Sequence, residues 1–277
     1  MIGEFIESWS LFSRTYMSAM LIGVSLSLMG VVVVARGNVF VAAALSQASM
    51  LGVALSLFFR LGQPALSAVV CSVGASLLVA RNQPQSGNST SEELTGWIFL
   101  LGGSLSVLLL ARMPYGLKEI QSLLSSSIIG AGSGDIFVFG AFLLVFCLFL
   151  ILRLRRLTLF LSDPVMAAAV GANIFIWSTA ISASLGLATG LAIRSSGMLF
   201  TFACLVLPAQ MAKHLCRDIG PMFLMAPIMA FVSILLGLML GNYFDLPPAQ
   251  TIVALMSLLT VIAWLVRWIR ESIMVNQ

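Results

Sequence analysis

The chain has 277 residues, of which 60% are apolar and only 9% are charged. Soluble domains usually carry about 25% charged residues, because a folded chain of this length must cover its outer surface with polar groups. The composition therefore excludes a water-soluble globular protein and predicts residence in membrane lipid. The basic residues behind the net charge of +4 stand singly between apolar stretches. A nucleic-acid-binding protein would cluster them on one face or tail, so no nucleic-acid partner is predicted.

Charged residues divide the sequence into nine apolar stretches that reach or approach the roughly 20 residues of a transmembrane helix. We predict approximate spans at residues 15–35, 39–59, 61–80, 94–111, 136–152, 172–193, 195–212, 220–243 and 247–266. The stretch 195–212 contains Pro208, which is compatible with a broken or re-entrant segment. The expected fold is an all-α polytopic membrane protein, a bundle of eight to nine transmembrane helices, in which residues 1–277 form a single transmembrane domain.

Loop lysines and arginines predict the orientation, because they are more frequent on the cytoplasmic side of a membrane. With nine spans, the larger group lies on one side and consists of Arg36, Arg81, Arg153, Arg155, Arg156, Lys213, Arg217, Arg267 and Arg270. The smaller group lies on the other side and consists of Arg14, Arg60, Arg112, Lys118 and Arg194. This asymmetry predicts a cytoplasmic C-terminus and an N-terminus outside.

A helix start follows a cluster of three arginines on the predicted cytoplasmic side. Asp163 is a favoured N-cap residue, and the fixed φ of Pro164 suits the first helical position. The small residues from Met166 to Val170 then predict a short helix that ends at Gly171 and lies along the cytoplasmic surface. An ordinary cytoplasmic turn is the alternative.

Four segments, in order along the chain, carry a family resemblance. Residues 30–52 read GVVVVARGNVFVAAALSQASMLG, residues 163–171 read DPVMAAAVG, residues 196–213 read SGMLFTFACLVLPAQMAK, and residues 243–253 read YFDLPPAQTIV. The first segment resembles a glycine-rich span, a basic turn and the pattern G-D-A-L-S-H-A-V-L-P-G, and the second resembles D-P-x-x-A-x-x-x-G. The third resembles V-G-x-L-L-V-x-A-L-L-x-x-P-A-x-x-A. The fourth resembles a last turn and span, in which Ala249 replaces a usual glycine. These are motifs of the permease subunits of bacterial zinc, manganese and iron importers, the metal ABC-3 transporter family.

The resemblance implies a transmembrane permease subunit of an ATP-binding-cassette importer in the bacterial cytoplasmic (inner) membrane. Its partners would be a cytoplasmic ATPase subunit, an extracytoplasmic substrate-binding protein, a second copy of the chain and membrane lipid. ATP hydrolysis would occur on the ATPase subunit, so the chain is not itself an enzyme, and no cofactor is predicted. The resemblance also implies that Asp163, Pro164, Ala167 and Gly171 belong to the helix that couples to the ATPase.

The second span would line the pathway along the two-fold axis of the dimer, with Ala43, Ser46, Gln47 and Met50 as the pathway residues. This span departs from the family pattern where a metal would bind. Ala43 stands in place of the acid, Gln47 in place of the histidine and Leu51 in place of the proline. Positions four apart share a helix face, as two ligands of one cation would. Since alanine cannot ligate and glutamine offers one neutral oxygen, no metal ligand is assigned.

The predicted spans contain no charged residue, and the single histidine, His214, falls at a cytoplasmic helix end. The polar groups that remain for a pathway are Ser46, Gln47, Ser49, Asn38 and Asn173, together with sulfur atoms of methionine and cysteine. The 15 methionines are explained either as apolar filler or as a path for a soft metal.

Two accounts of the cargo therefore stay open. The chain is either a divergent permease for a divalent metal ion (zinc, manganese or iron) or the same transporter fold with a non-metal or chelated substrate. A paralogue without transport function is a third account.

The competing class is a standalone membrane enzyme or an ion-coupled transporter. An intramembrane enzyme needs reactive groups at depth, such as paired carboxylates, a histidine or a serine with its base. A proton- or sodium-coupled carrier requires a buried carboxylate in the same way. The lack of charge in the predicted spans argues against both.

Overall fold

A computed structural model of the chain describes residues 2–82, 90–113, 118, 121 and 132–275. The described residues form ten helices and no strand. The helices are α1 (Ile2–Ala35), α2 (Val39–Phe58), α3 (Pro64–Arg81), α4 (Thr90–Ala111), α5 (Ser133–Ser162), α6 (Pro164–Ala169), α7 (Ile174–Ser196), α8 (Met198–Leu215), α9 (Ile219–Tyr243) and α10 (Pro248–Val275).

Nine of the helices in this described part, all except α6, are long and apolar enough to cross a membrane. The predicted class, an all-α polytopic membrane protein, is therefore confirmed. Pro208 lies inside α8, which runs without a break from Met198 to Leu215. Transmembrane helices tolerate proline, because neighbouring groups satisfy the freed carbonyl. The alternative of a broken helix in this stretch is therefore wrong.

Of the helices that continue past the predicted ends of their spans, α5 and α10 continue furthest. α5 reaches Ser162, ten residues beyond residue 152, where the first arginine of a cluster had set the predicted limit. Arginine is a good helix former, so charge ends the apolar span without ending the helix. At 1.5 Å per residue the extension is about 15 Å long. α10 continues in the same way to Val275, and there Arg267 and Glu271 form an ion pair of 2.7 Å one turn apart.

The described helices divide into two compact units. The first comprises residues 1–37, 131–162 and 203–277, and in it α1 packs against α5 and α9 while α9 packs against α10. Gly30 allows α1 to approach α8 closely, because a Cβ at this position would overlap the carbonyl of Leu205. Small residues permit such contacts between helices in lipid, where the hydrophobic effect gives no driving force for association.

The second unit comprises residues 38–130 and 163–202, and in it α2 packs against α3, α4 and α7, and α3 packs against α7. A Cβ on Gly186 of α7 would lie 2.7 Å from the Cα of Val73 on α3. Ser72 of α3 donates a hydrogen bond to the carbonyl of Gly186, so this contact is both close and polar. The prediction that residues 1–277 form a single transmembrane domain stays a prediction.

Candidate substrate pathway and coupling helix

One face of α2 keeps accessible surface along the whole middle of the helix. Between Ala42 and Ser56, every residue is buried except Ala43, Gln47, Leu51 and Leu55. These four follow one another at intervals of four residues and share one helix face. We call them the α2 stripe. It contains Ala43 and Gln47, the two positions at which the family pattern has its metal-ligand pair.

Ser46 and Met50, the other two predicted pathway residues, lie on the buried side of α2. Ser46 is 1% exposed, and its hydroxyl donates a hydrogen bond of 2.9 Å to the carbonyl of Ala42 within the same helix. Met50 is also 1% exposed and packs in an apolar cluster with Val53, Ala54, Ala68 and Leu110. The structure therefore separates the four predicted residues into two pairs on different faces.

The side chain of Gln47 rests on a glycine pair of α4. A Cβ on Gly103 would lie 3.2 Å from Gln47 Oε1, and a Cβ on Gly102 would lie 3.0 Å from the backbone carbonyl carbon of Gln47. The amide oxygen is fully buried, and no described residue donates a hydrogen bond to it. Leaving a buried acceptor unsatisfied costs about 1–3 kcal/mol. This oxygen is therefore an acceptor with unused capacity at the edge of the α2 stripe.

The remaining polar candidates differ in how their side chains are used. Asn173 caps α7, where its Oδ1 accepts a hydrogen bond of 3.2 Å from the amide of Ile176. Asn38 occupies the N-cap position of α2 without a capping hydrogen bond from its side chain, and Ser49 is fully buried. His214 lies in the last turn of α8, with Arg267 and Glu271 as charged neighbours. Within the described part of the chain, no group of three His, Cys, Asp or Glu residues could hold a metal ion.

The predicted short helix forms as α6, and its start is built by Asp163 and Pro164. The extended backbone of Asp163 lets its Oδ1 accept hydrogen bonds from the amides of Val165, at 2.9 Å, and Met166, at 3.0 Å. Pro164 occupies the first turn, where its missing N–H leaves no donor unsatisfied. Both features follow from the local sequence, and α6 confirms the predicted helix.

The far end of α6 is closed by Gly171, whose φ of +83° belongs to the left-handed region that glycine tolerates best. Ala167 is the one fully buried residue of α6, which packs against α7. Val165, Met166 and Val170 are 71%, 58% and 74% exposed. The short helix and its C-cap residue Val170 thus present three apolar side chains to the outside, while Ala167 is buried against α7.

The contact of Gln47 with the glycine pair of α4 was not predicted from the sequence. Both Gly102 and Gly103 were recognisable only as small residues within a span, which indicates close helix packing without naming the partner. Two adjacent glycines in one apolar stretch are the signal that could have marked α4 as the neighbour of the polar position. The spacing of four between Ala43 and Gln47, by contrast, was sufficient to place both on one face.

Nine membrane-length helices in the described part of the chain define a multi-pass membrane protein, and the short helix α6 adds an exposed apolar surface. The family can be stated more narrowly. The chain belongs to the ABC 3 transport family, whose model matches residues 8–267.

Relatives cover almost the whole chain. The manganese transport system membrane protein MntC of Halalkalibacterium halodurans is 23% identical over 257 residues, which are 93% of this chain and 87% of the relative. The manganese import system permease protein ScaB of Streptococcus parasanguinis is 26% identical over 265 residues, 91% of this chain and 90% of the relative. The similarity therefore extends from the first spans to the last.

Solved structures show the same fold. The chain is similar to PsaBC from Streptococcus pneumoniae in complex with Fab, with a TM-score of 0.80, 22% identity and coverage of 95% of each chain. It is also similar to an inward-facing conformation of a putative metal-chelate type ABC transporter, with a TM-score of 0.76, 19% identity, and coverage of 93% of this chain and 88% of the other. At these identities the likeness concerns the fold.

Replacing Ala43→Asp and Gln47→His together should create a tight metal site on the α2 stripe, because a carboxylate and an imidazole four residues apart can ligate one cation. The purified double variant should retain about one zinc or manganese ion per chain after gel filtration, measured by elemental analysis. The native chain and each single variant should retain none tightly.

Two results would contradict this account of Gln47. If the native chain carries stoichiometric metal that disappears on Gln47→Ala, Gln47 is a strong ligand after all. If the double variant binds no metal, the two positions do not face a common accessible space.

Proposed function

We propose that the chain is the membrane-spanning permease subunit of an ATP-binding-cassette importer for a divalent metal ion. The observation that carries the proposal is the family match over residues 8–267. The match covers all or most of each membrane-length helix in the described residues. The nine-span architecture and the outward-facing α6 support it. Zinc, manganese and iron are the candidate ions. Manganese is the first to test, because two relatives that cover nine-tenths of the chain are named for manganese transport and manganese import.

The coupling role is assigned to α6 and to Asp163, Pro164, Ala167 and Gly171. The capped start and the closed end hold the helix as a rigid unit, and Val165, Met166 and Val170 supply an apolar contact surface of the kind that a protein partner covers. The partner is a cytoplasmic ATPase subunit. Closure of the ATPase on ATP would displace α6, and the membrane helices would then alternate between outward and inward access.

The pathway is assigned to the α2 stripe, in which Gln47 is the polar residue and Ala43 lies one turn before it. A second copy of the chain would supply the other wall, and an extracytoplasmic binding protein would deliver the cargo. Ser46 and Met50 lie on the buried side of α2, away from the α2 stripe, where they pack within the protein. The charge asymmetry of the loops supports an orientation with the C-terminus in the cytoplasm. The membrane that we propose is the bacterial inner membrane.

A chelated or organic cargo is the second candidate, and the chemistry of the α2 stripe favours it. A bare dication must exchange its hydration shell for ligands, and carboxylates or imidazoles lower that cost. The stripe offers one neutral amide oxygen, whose ligand strength is weak. A chelate would carry the ligands with it. One of the similar solved structures is titled a putative metal-chelate type transporter.

Reconstitution of the full complex tests the proposed function. The chain, its ATPase and its binding protein should together take up Mn²⁺ into liposomes when ATP is supplied on the side of the membrane that carries the ATPase. The chain without the ATPase should take up no Mn²⁺. An ATPase variant unable to hydrolyse ATP is the control. Uptake of a metal chelate in place of the free ion would transfer the assignment to the second candidate. Mn²⁺ uptake by the chain alone would refute the proposal.

Asp163→Ala should uncouple ATP hydrolysis from transport, because it removes both capping hydrogen bonds of α6 at a cost of about 1 kcal/mol. Ions transported per ATP should fall by about fivefold, the equivalent of that energy. Asp163→Asn is the matched control, since its amide oxygen can still cap the helix, and it should stay close to the native ratio. Equal losses in both variants would show that the cap is not what couples α6 to the ATPase.

A further inference from the structure

A buried aromatic ring of α5 holds the arginine that follows α1. The guanidinium carbon of Arg36 lies 4.5 Å from the centroid of the Phe160 ring. This is within the roughly 6 Å over which a cation is attracted to the face of an aromatic ring. Phe160 is only 1% exposed, and Arg36 is half-buried. A desolvated cation–π pair is stronger than an exposed one, so the contact constrains both segments.

The guanidinium keeps its positive charge in this position. Burial lowers the pKa of Arg36, but the ordinary pKa of arginine is so high that the side chain stays protonated at neutral pH. The attraction to a ring face also lacks the strict hydrogen-bond directionality of a bidentate pair with a carboxylate. Such a contact tolerates a small sliding movement without breaking.

Arg36 and Phe160 lie three and four positions before the starts of α2 and α6, respectively. Arg36 follows the end of α1, and only Gly37 and Asn38 separate it from α2, which carries the pathway stripe. Phe160 lies three residues before Asp163, the single residue between α5 and the coupling helix α6. The Arg36–Phe160 contact therefore links the segment that precedes the pathway helix α2 to the segment that precedes the coupling helix α6.

Two of the four places where the chain passes between its two compact units lie next to this contact. One passage occurs between Gly37 and Asn38, and another between Ser162 and Asp163. Gly37 has a φ of +71°, and a Cβ there would meet no atom within 4 Å, so this position combines backbone freedom with open space. The Arg36–Phe160 contact therefore holds the segment before the first passage against the segment before the second.

We propose that Arg36 and Phe160 are a positioning pair that transmits displacement of the coupling helix α6 to the pathway helix α2. The inference rests on the proposed function, because it assigns roles within that transport cycle. α5 is a continuous helix to Ser162, so a movement of α6 would move Phe160 with the end of α5. Phe160 would in turn move Arg36, which lies at the start of the turn into α2.

The test compares ring and charge deletions in the reconstituted complex of the chain, its ATPase and its binding protein, with Mn²⁺ as the probe. Phe160→Leu removes the ring and Arg36→Met removes the charge, while both keep apolar volume. Each should retain basal ATP hydrolysis and lower the Mn²⁺ transported per ATP by at least about threefold. The double variant should lose no more than either single one, because both changes delete the same interaction.

Two matched variants separate transmission from packing. Phe146→Leu removes another buried ring of α5, one that stacks on Phe142 at 6.2 Å, and it should leave the transport ratio unchanged. Arg36→Lys keeps a cation over the ring and should stay within about twofold of the native ratio. Thermal melting of each complex checks that the variants fold.

The inference is overturned if Phe160→Leu and Arg36→Met stay coupled, if Phe146→Leu uncouples equally, or if Arg36→Lys fails as severely as Arg36→Met. A native complex that hydrolyses ATP but takes up no Mn²⁺ instead overturns the manganese assignment. In that case the same variants are compared by the stimulation of ATP hydrolysis that the binding protein produces, and a loss of stimulation in Phe160→Leu but not in Phe146→Leu supports the positioning pair.

Discussion

Lipid hydrocarbon excludes charge and offers no hydrogen bonds, and the features of this chain follow from that constraint. Helices satisfy their own backbone groups, which is why the described residues form helices throughout their spans. The charged residues accumulate beyond the apolar stretches, and Arg81, Arg194 and Lys213 fall in the last turns of α3, α7 and α8. Cations at those ends also face the negative end of each helix dipole.

The same constraint decides how the helices associate. Burying apolar surface gives little free energy when the solvent is itself apolar, so close backbone contact and polar contacts between helices must supply it. Gly30 against Leu205 in one unit and Gly186 against Val73 in the other are contacts that any side chain would prevent. The hydrogen bond from Ser72 to Gly186 adds a polar contact to the second of these. The contact of the Gln47 side chain with Gly103 is of the same kind. It differs in that no described residue donates a hydrogen bond to the amide oxygen of Gln47.

Much of this fold could be predicted from the sequence, because lipid makes apolar length a direct signal. The nine spans and the short helix after Asp163 were predicted from charge-free length and from capping chemistry, and the structure confirms both. Helix ends were predicted less well: three arginines ended the predicted fifth span, yet α5 continues through them to Ser162. Charge marks where lipid ends, whereas backbone propensity decides where a helix ends.

The site was only partly accessible to sequence reasoning. The interval of four between Ala43 and Gln47 placed them on one face, but Ser46 and Met50 were assigned to the same pathway although they face neighbouring helices. Which face is buried depends on the neighbours, and of the neighbours of α2 only α3 follows it directly, whereas α4 and α7 lie further along the chain. The contact between Arg36 and Phe160 is equally remote, since 124 positions separate the two residues (160 minus 36). Periodicity within one helix carries no information about such pairs.

Cysteine accessibility along α2 tests the central claim, that the α2 stripe faces a water-filled pathway in the assembled transporter. Single cysteines would be placed at 43, 47 and 51 on the stripe and at 45, 48 and 53 on the buried face, in a chain whose four native cysteines are replaced by serine or alanine. A charged, membrane-impermeant thiol reagent should label the three stripe positions and leave the buried ones unlabelled. Equal labelling on both faces, or a stripe that reacts only with a lipid-soluble reagent, would contradict the account.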